Sequence, residues 1–255
     1  MKKRIFFPIF CLGLFLAIIV VVQRNADPKS AILRLSKKPT LQIRELHYQI
    51  SLFGLVPLGE AVIFVEKEEM YIGKKVYHLS AQAQSQKWLS TFFDGSAEAH
   101  SYVDINTLSP VFFMQRLAIK GKPALEKRVT YDQAEGIMSI AGLQRSILPK
   151  TQDPLSVMLN IKRLDFKQVR DFAFNLNTNQ KDYLLKGKAQ ENPLLIKGKL
   201  YKTVMVVMNI ARRDKNPYHK SSITVILLPD VQNIPLLIKV FASGILLNVK
   251  LIDVR

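Results

Sequence analysis

The chain has 255 residues, of which 48% are hydrophobic, enough to bury a full core, and this composition excludes a disordered chain. Its 37 Lys and Arg against 20 Asp and Glu give a formal net charge of +17, which favours nucleic acid, acidic lipid or acidic glycan as a partner. The single cysteine, Cys11, excludes an intrachain disulfide and any zinc site built on several cysteines.

The N-terminus carries the pattern of an exported protein. Lys2, Lys3 and Arg4 precede an uncharged and mostly apolar run over residues 5–22, which is long enough to span a bilayer as a helix. We favour an uncleaved signal anchor, with secretion after cleavage as the alternative, because only Ala26 offers a small residue near a cleavage position. Export argues against nucleic acid, so we expect the positive charge to serve solubility as a basic surface, with attraction to a lipid or an anionic membrane surface as the alternative.

The rest of the chain divides into a linker and a folded body. We assign residues 1–24 to the signal anchor or signal peptide, 25–40 to a linker, and 41–255 to one antiparallel β domain. Within the body, strand-like runs such as "KVYHLSAQAQ" alternate polar and apolar side chains, and turn formers separate roughly a dozen of them. This pattern predicts a mainly β fold with large curved antiparallel sheet, arranged as a half-barrel or a sandwich, around one central helix.

The predicted helix lies in "TQDPLSVMLNIKRL" and spans residues 154–164. Asp153 followed by Pro154 is a strong helix start, because Asp caps free N–H groups and Pro at the first turn has none to leave unpaired. Helical spacing gives two apolar faces and one polar stripe, namely Leu155, Met158 and Leu159; Val157, Ile161 and Leu164; and Ser156, Asn160 and Arg163. A helix that is apolar on two sides is expected against the concave face of the sheet.

A second apolar cluster lies in the segment "QKWLSTFFDG", residues 86–95. We expect its aromatic side chains to plug an open end of the sheet, with an exposed lip that grips a ligand as the alternative. Together with one face of the helix, these aromatics are our candidate contacts for an apolar ligand: Trp88, Phe92, Phe93, Leu155, Met158 and Leu159.

Recognisable catalytic or metal-binding patterns are missing from the sequence. The four histidines lie in different runs with no ligand spacing, so we predict cross-strand partners rather than metal ligands for most of them: His47, His78, His100 and His219. Ser156 lacks the flanking glycines of the exposed serine turn of hydrolases. We therefore predict no enzyme, no cofactor and no catalytic residue, although a cleft that joined His100, Asp104 and Ser156 would reopen the question.

Short motifs in a fixed order resemble the family known as domain of unknown function 3108, a group of bacterial envelope proteins. The motifs are the "GEA" strand at 59–61, "SYVDINTLSP" at 101–110, "QDPLS" at 152–156, "GKLYKT" at 198–203, and the Asp, Ile-Pro and Gly positions of "PDVQNIPLLIKVFASG" at 229–244. The resemblance spans about residues 42–253 and implies a periplasmic or cell-envelope location. It implies no activity, and no site residue follows from it.

These observations lead to two hypotheses about function. In the first, the protein is anchored in the bacterial inner membrane, and its periplasmic domain binds a lipid or another apolar envelope component between sheet and helix. In the alternative, it is a structural or assembly factor that binds another envelope protein through exposed sheet edges.

Overall fold

The computed structural model of the chain describes residues 45–89, 94–178, 180–196, 199–213, 221–229, 233–242 and 244–255. The predicted anchor, the predicted linker and the candidate residues Phe92 and Phe93 lie outside these ranges, as does His219. Within the ranges, no helix combines the length and the hydropathy that crossing a bilayer requires.

The described residues form sixteen strands, one α-helix and one short 3₁₀ turn. The helix α1 is Pro154–Lys162, and the 3₁₀ turn is Lys87–Leu89. The strands are β1 Glu45–Leu52, β2 Val56–Tyr71, β3 Lys74–Ser85, β4 Gly95–Asp104, β5 Pro110–Ile119, β6 Leu125–Asp132, β7 Ile137–Ile140, β8 Leu143–Ser146, β9 Asp171–Thr178, β10 Lys181–Glu191, β11 Leu194–Ile196, β12 Lys199–Tyr201, β13 Val204–Arg212, β14 Ser221–Leu228, β15 Ile234–Ala242 and β16 Ile245–Val254.

Fourteen of these strands join one antiparallel sheet in the order β8-β7-β6-β5-β4-β3-β2-β1-β16-β15-β14-β13-β10-β9, and β11 and β12 form a separate hairpin. The first and last strands of the body pair in the middle of the sheet, where Glu45 and Arg255 exchange two backbone hydrogen bonds of 2.9 and 3.0 Å. The predicted mainly β antiparallel fold with one helix is confirmed. Of the two arrangements we expected, the sandwich is not seen, because these strands form one continuous sheet.

Tight hairpins follow from the sequence at the turns. In Phe53-Gly54, Ile72-Gly73 and Ala141-Gly142 both residues have positive φ, as type I′ turns require. The twist of such turns matches the right-handed twist of the strands that they join. A long meander of this kind therefore curls progressively as strands are added.

The sheet curls until its two halves enclose a common interior. Leu117 of β5 packs in the same buried cluster as Leu236 of β15 and Leu251 of β16, although β5 lies six positions from β15 in the strand order. The connection between β8 and α1 then lies along the free edge of β9. Gln152 donates its N–H to the carbonyl of Asn175 at 2.7 Å, and its own carbonyl accepts the N–H of Asn177 at 2.8 Å. The result is a barrel-like enclosure whose ends are joined by this connection.

Helix α1 occupies the interior of that enclosure. Leu155 and Met158 pack with β3 to β7, whereas Val157 and Ile161 pack with β9, β10 and β13 to β15. The two apolar faces predicted from the sequence thus contact the two halves of the sheet. The helix ends at Lys162, two residues before the predicted end.

Candidate apolar cavity beside the helix

A cavity of about 120 Å³ lies between helix α1 and the inner face of the sheet. The helix contributes Pro154, Leu155, Val157, Met158, Leu159 and Ile161 to its wall, and the strands contribute residues that include Leu46, Ile63, Leu79, Leu185, Met208, Ile210, Ile223 and Leu227. A buried apolar cavity of about 150 Å³ is known to stay dry and to accept a benzene ring, whereas sites for drug-sized ligands begin at about 300 Å³. The space therefore suits a ring or the end of an apolar chain.

The polar residues on the cavity wall are few, namely Tyr48, Ser80, Lys162 and Asn233. The hydroxyl of Tyr48 donates to the carbonyl of Pro235 at 3.0 Å, and burial raises the pKa of Tyr48 so that it stays neutral. The amide of Asn233 donates to the carbonyls of Lys162 and Leu164 at 2.7 and 3.0 Å, which satisfies the C-terminal end of α1. The arrangement offers dispersion contacts and little hydrogen bonding to an occupant.

The polar stripe of α1 attaches the helix to its surroundings. The side-chain amide of Asn160 donates to the carbonyl of Leu108, in the turn between β4 and β5, at 2.8 Å. The guanidinium of Arg163 lies 4.3 Å from the ring centroid of Tyr77 on β3, a cation–π contact. Ser156 is fully buried, and its hydroxyl accepts the N–H of Asp153 at 2.9 Å. These contacts hold one wall of the cavity in position.

The N-terminal end of α1 contains a buried carboxylate. Asp153 accepts the N–H groups of Leu155 and Ser156 at 2.7 and 2.9 Å, and the hydroxyl of Ser101 donates to its other oxygen at 2.6 Å. Burial raises the pKa of Asp153 to about 6, against the lowering effect of these hydrogen bonds. Lys127 on β6 is the nearby cation, and burial lowers its pKa to about 8. Both groups are therefore mostly charged at pH 7.

A second polar cluster lies on the opposite face of the sheet from the cavity. His78 Nε2 and His100 Nδ1 are 2.9 Å apart, His100 Nε2 is 2.8 Å from Glu98 Oε1, and His78 Nδ1 is 3.5 Å from Glu69 Oε1. Burial is the main cause that lowers the pKa of His78, and Glu69 opposes it. The four side chains form a string rather than a converging shell. Among the described residues, no group of three or more His, Cys, Asp or Glu is arranged to hold a metal ion.

The structure separates the candidate ligand contacts. Leu155, Met158 and Leu159 line the cavity. Trp88 does not line it: this side chain lies in the 3₁₀ turn between β3 and β4 and is 52% exposed, so it does not plug the sheet as expected. The physical reason is that the three-residue 3₁₀ turn contains no buried residue and so keeps this side chain at the surface. Phe92 and Phe93 lie outside the described residues.

Sequence reasoning found the helix side of the cavity and missed the strand side. The strand residues that line it are ordinary apolar positions of alternating strands, with no local signal that distinguishes a cavity wall from a filled core. The possible cleft of His100, Asp104 and Ser156 does not form, because Ser156 is fully buried whereas His100 contacts Glu98 on the other face. The contact of His78 with His100 confirms a cross-strand partner for these two histidines, whereas His47 contacts Glu45 on its own strand at 2.9 Å.

We compared the chain and its fold with known proteins. No curated protein matches the chain. The crystal structure of a beta-barrel-like protein of domain of unknown function DUF1849 from Brucella abortus is similar, with a TM-score of 0.58 over 84% of this chain and 98% of that one, at 11% identity. That likeness concerns the fold alone. The family model for proteins of unknown function DUF3108 matches residues 47–244. This chain therefore belongs to the DUF3108 family.

Proposed function

We propose that this protein is held at the bacterial inner membrane by its N-terminal segment and that its periplasmic body binds an apolar molecule between the sheet and helix α1. One observation carries the proposal, the apolar cavity of about 120 Å³ that both halves of the sheet and the helix enclose. Natural interiors are packed with few voids larger than a water molecule. An empty cavity of this size lowers the stability of the fold. A bound ligand would restore that stability by filling the space.

The size and chemistry of the wall specify the kind of ligand. A molecule with a ring, or the terminal part of an acyl chain, matches the space, and a whole lipid would need the helix to move outward. Ile161 on the helix packs in one apolar cluster with Met208 and Ile210 on β13, and such a contact contains no hydrogen bond that a shift of the helix would break. The ends of α1, in contrast, are held by Asp153 and Asn233.

The second candidate function, strand addition at a sheet edge, has weaker support. The edge strand β8 has only four residues, all exposed, and includes Arg145. At the other edge, Gln152 already pairs with β9, and the side-chain amide of Asn175 donates to the carbonyl of Pro149 at 2.9 Å. Short, charged or covered edges resist pairing with another chain.

Binding of benzene, an apolar probe of a single ring, tests the proposal on residues 41–255 through the rise in melting temperature that it causes, with competition by lauric acid as a second readout. Met158→Trp places a large side chain in the cavity and is expected to lower probe affinity at least tenfold. Because the cavity offers room, the fold should be kept. Met70→Trp is the matched control, because Met70 is 63% exposed and lies away from the cavity.

Equal probe affinity in wild type and Met158→Trp would show that the cavity is not the site. Circular dichroism and thermal unfolding distinguish a filled cavity from a misfolded variant. Native mass spectrometry of protein purified without detergent adds an independent test, since the proposal expects a co-purified apolar molecule that Met158→Trp no longer retains.

A further inference from the structure

Five chain connections at one end of the sheet join β1 to β2, β3 to β4, β5 to β6, β7 to β8 and β15 to β16, because antiparallel neighbours reverse direction at each turn. By the same alternation β9 is joined to β10, and β13 to β14, at this end. Neighbouring connections are in direct contact: the N–H of Phe53 donates to the carbonyl of Leu246, and the N–H of Lys120 to the carbonyl of Asp94, both at 2.8 Å.

Large apolar side chains are concentrated at that end. We call this set the apolar rim and define it as Phe53, Leu55, Val56, Trp88, Leu125, Leu143, Phe241 and Ile245. These are eight of the twelve large hydrophobic side chains that are exposed among the described residues, and the other four are Met70, Ile72, Leu195 and Leu200. Single exposed hydrophobics need no explanation, but a row of them along adjacent hairpins marks an interaction surface.

The turn at Phe53 exposes an apolar side chain at positive φ, as the turn at Ile72 does at the opposite end of the sheet. Phe53 has φ of 51° in a type I′ turn, a position that prefers Asn, Asp or Gly. An aromatic side chain there is 54% exposed, so it neither fits the turn nor fills the core. Leu55, two residues after Phe53, is 82% exposed. Both positions present apolar surface to the surroundings at some loss of turn stability.

The charges at the rim complement an anionic surface. Lys87, Lys120 and Lys122 lie in the same connections, against one described acid, Asp94, whose carboxylate is 3.8 Å from Lys120 Nζ. Trp, Phe and Leu accompanied by Lys are the side chains that settle at the boundary between lipid head groups and acyl chains. Lysines near an anionic leaflet strengthen binding to it, and salt screens this attraction.

The residues between the predicted anchor and β1 are numerous enough for the apolar rim to reach the bilayer that holds the anchor. β1 begins at the end of the sheet opposite to the apolar rim. Residues 25–44 can extend roughly 68 Å at about 3.4 Å per residue. Strands β1 and β2, of 8 and 16 residues, measure roughly 26 and 53 Å at about 3.3 Å per residue. The connection can therefore pass along the body to the rim.

We propose that the apolar rim docks onto an anionic lipid bilayer. The side chains of the rim enter the head-group region, and the lysines beside them contact acidic lipids. This proposal rests on the N-terminal anchor of the proposed function but is independent of ligand binding in the cavity, because none of the eight rim residues lines the cavity.

Trp88 provides the measurement, because it is the only tryptophan in the chain and it belongs to the rim. The full-length protein is reconstituted into vesicles of phosphatidylcholine alone or with phosphatidylglycerol, both with brominated acyl chains. We expect blue-shifted and quenched Trp88 emission in the vesicles with phosphatidylglycerol. High salt should reduce the quenching, because it screens the lysines.

A pair of double variants separates docking from folding. Phe53→Asn with Leu55→Ser should remove most of the quenching, and its melting temperature should not fall, because Asn-Gly suits the type I′ turn. The control is Ile72→Asn with Met70→Ser, which makes matched changes at the turn of the opposite end, where Ile72 also has positive φ. This control should leave the quenching unchanged.

Three outcomes would overturn the proposal. Trp88 emission that is equally unquenched in both vesicle types excludes docking. A concentration-dependent blue shift without lipid assigns the rim to self-association. Equal loss of quenching in both double variants would show that docking does not depend on the apolar rim. Probe binding in the cavity is expected to be unchanged in both variants, so failure here is distinguishable from failure of the proposed function.

Discussion

Asp153 is a good helix cap by local rules, but its burial disfavours the charged form of its carboxyl group. As an N-cap it pairs two free N–H groups of α1, and the Ser156 hydroxyl completes the capping box. Its side chain is nevertheless fully buried, and this raises its pKa from 3.8 to about 6. The cap is predictable from "DPLS", whereas the burial follows from the enclosure around the helix.

Asp153→Asn should therefore change how stability depends on pH. Because the folded pKa lies above the unfolded one, this carboxyl contributes stability below about pH 4 that is lost as pH rises through about 6. Two pKa units correspond to about 3 kcal/mol. We expect the free energy of unfolding of the Asn variant, relative to wild type, to rise by up to this amount between pH 4 and pH 7, as measured by urea unfolding.

Asn is itself a good cap, so Asp153→Ala serves as the control for lost capping. The Ala variant should be less stable than the Asn variant by about 1 kcal/mol at every pH. Parallel pH profiles for wild type and Asn variant would contradict a raised pKa of Asp153.

At the same scale, the histidines show the limit of local patterns. Their position in strands predicted cross-strand partners, and the pairing of Ser80 with His100 and of His78 with Tyr102 sets the two rings diagonally opposite. That they meet at 2.9 Å depends on the register between β3 and β4, which no feature of either strand alone specifies.

Among the elements, helix α1 was the most predictable and the strands the least distinctive. Its start at Pro154 and its two apolar faces follow from capping and from helical periodicity. The strands were predicted as a class, but which of them line a cavity depends on the other elements that cover them. The short β11–β12 hairpin, whose Tyr201 packs against the first and last strands, lies in a run that alternates only weakly.

Gly187 in β10 supports the pairing of this strand with β9. Gly187 lies opposite Phe172, and a Cβ at this position would collide with the Phe172 ring. Gly187→Ala should therefore lower the free energy of unfolding by about 1–3 kcal/mol, because the ring must leave its place. In a Phe172→Leu background the same change should cost less, as a double-mutant cycle by urea unfolding would measure. Equal costs in both backgrounds would contradict this contact.

On the scale of the whole molecule, the pairing of β1 with β16 puts the last strand in the middle of the sheet. β16 lies between β1 and β15 and buries Val249 and Leu251. The sheet therefore depends on its last strand, because β16 is a central strand and its loss would remove more than an edge.

Deletion of residues 245–255 should abolish cooperative thermal unfolding and make the body sensitive to proteolysis. The deletion divides the sheet in its middle and exposes two unpaired strands. Deletion of residues 1–40, which precede β1, is the control and should keep the transition. A cooperative transition after loss of β16 would show that the two halves of the sheet fold separately.

The sequence by itself determined the mainly β class, the antiparallel order of hairpins, the position and orientation of the helix start, and membership of the family. These properties depend on local rules, namely alternation, turn residues with positive φ, and capping, which neighbours along the chain satisfy. The tertiary structure alone decided that the sheet is continuous, that α1 leaves a cavity beside it, and that exposed apolar residues collect at one rim. Those features arise because residues far apart in the chain pack across a curved sheet, and packing at that distance leaves no local pattern in the sequence.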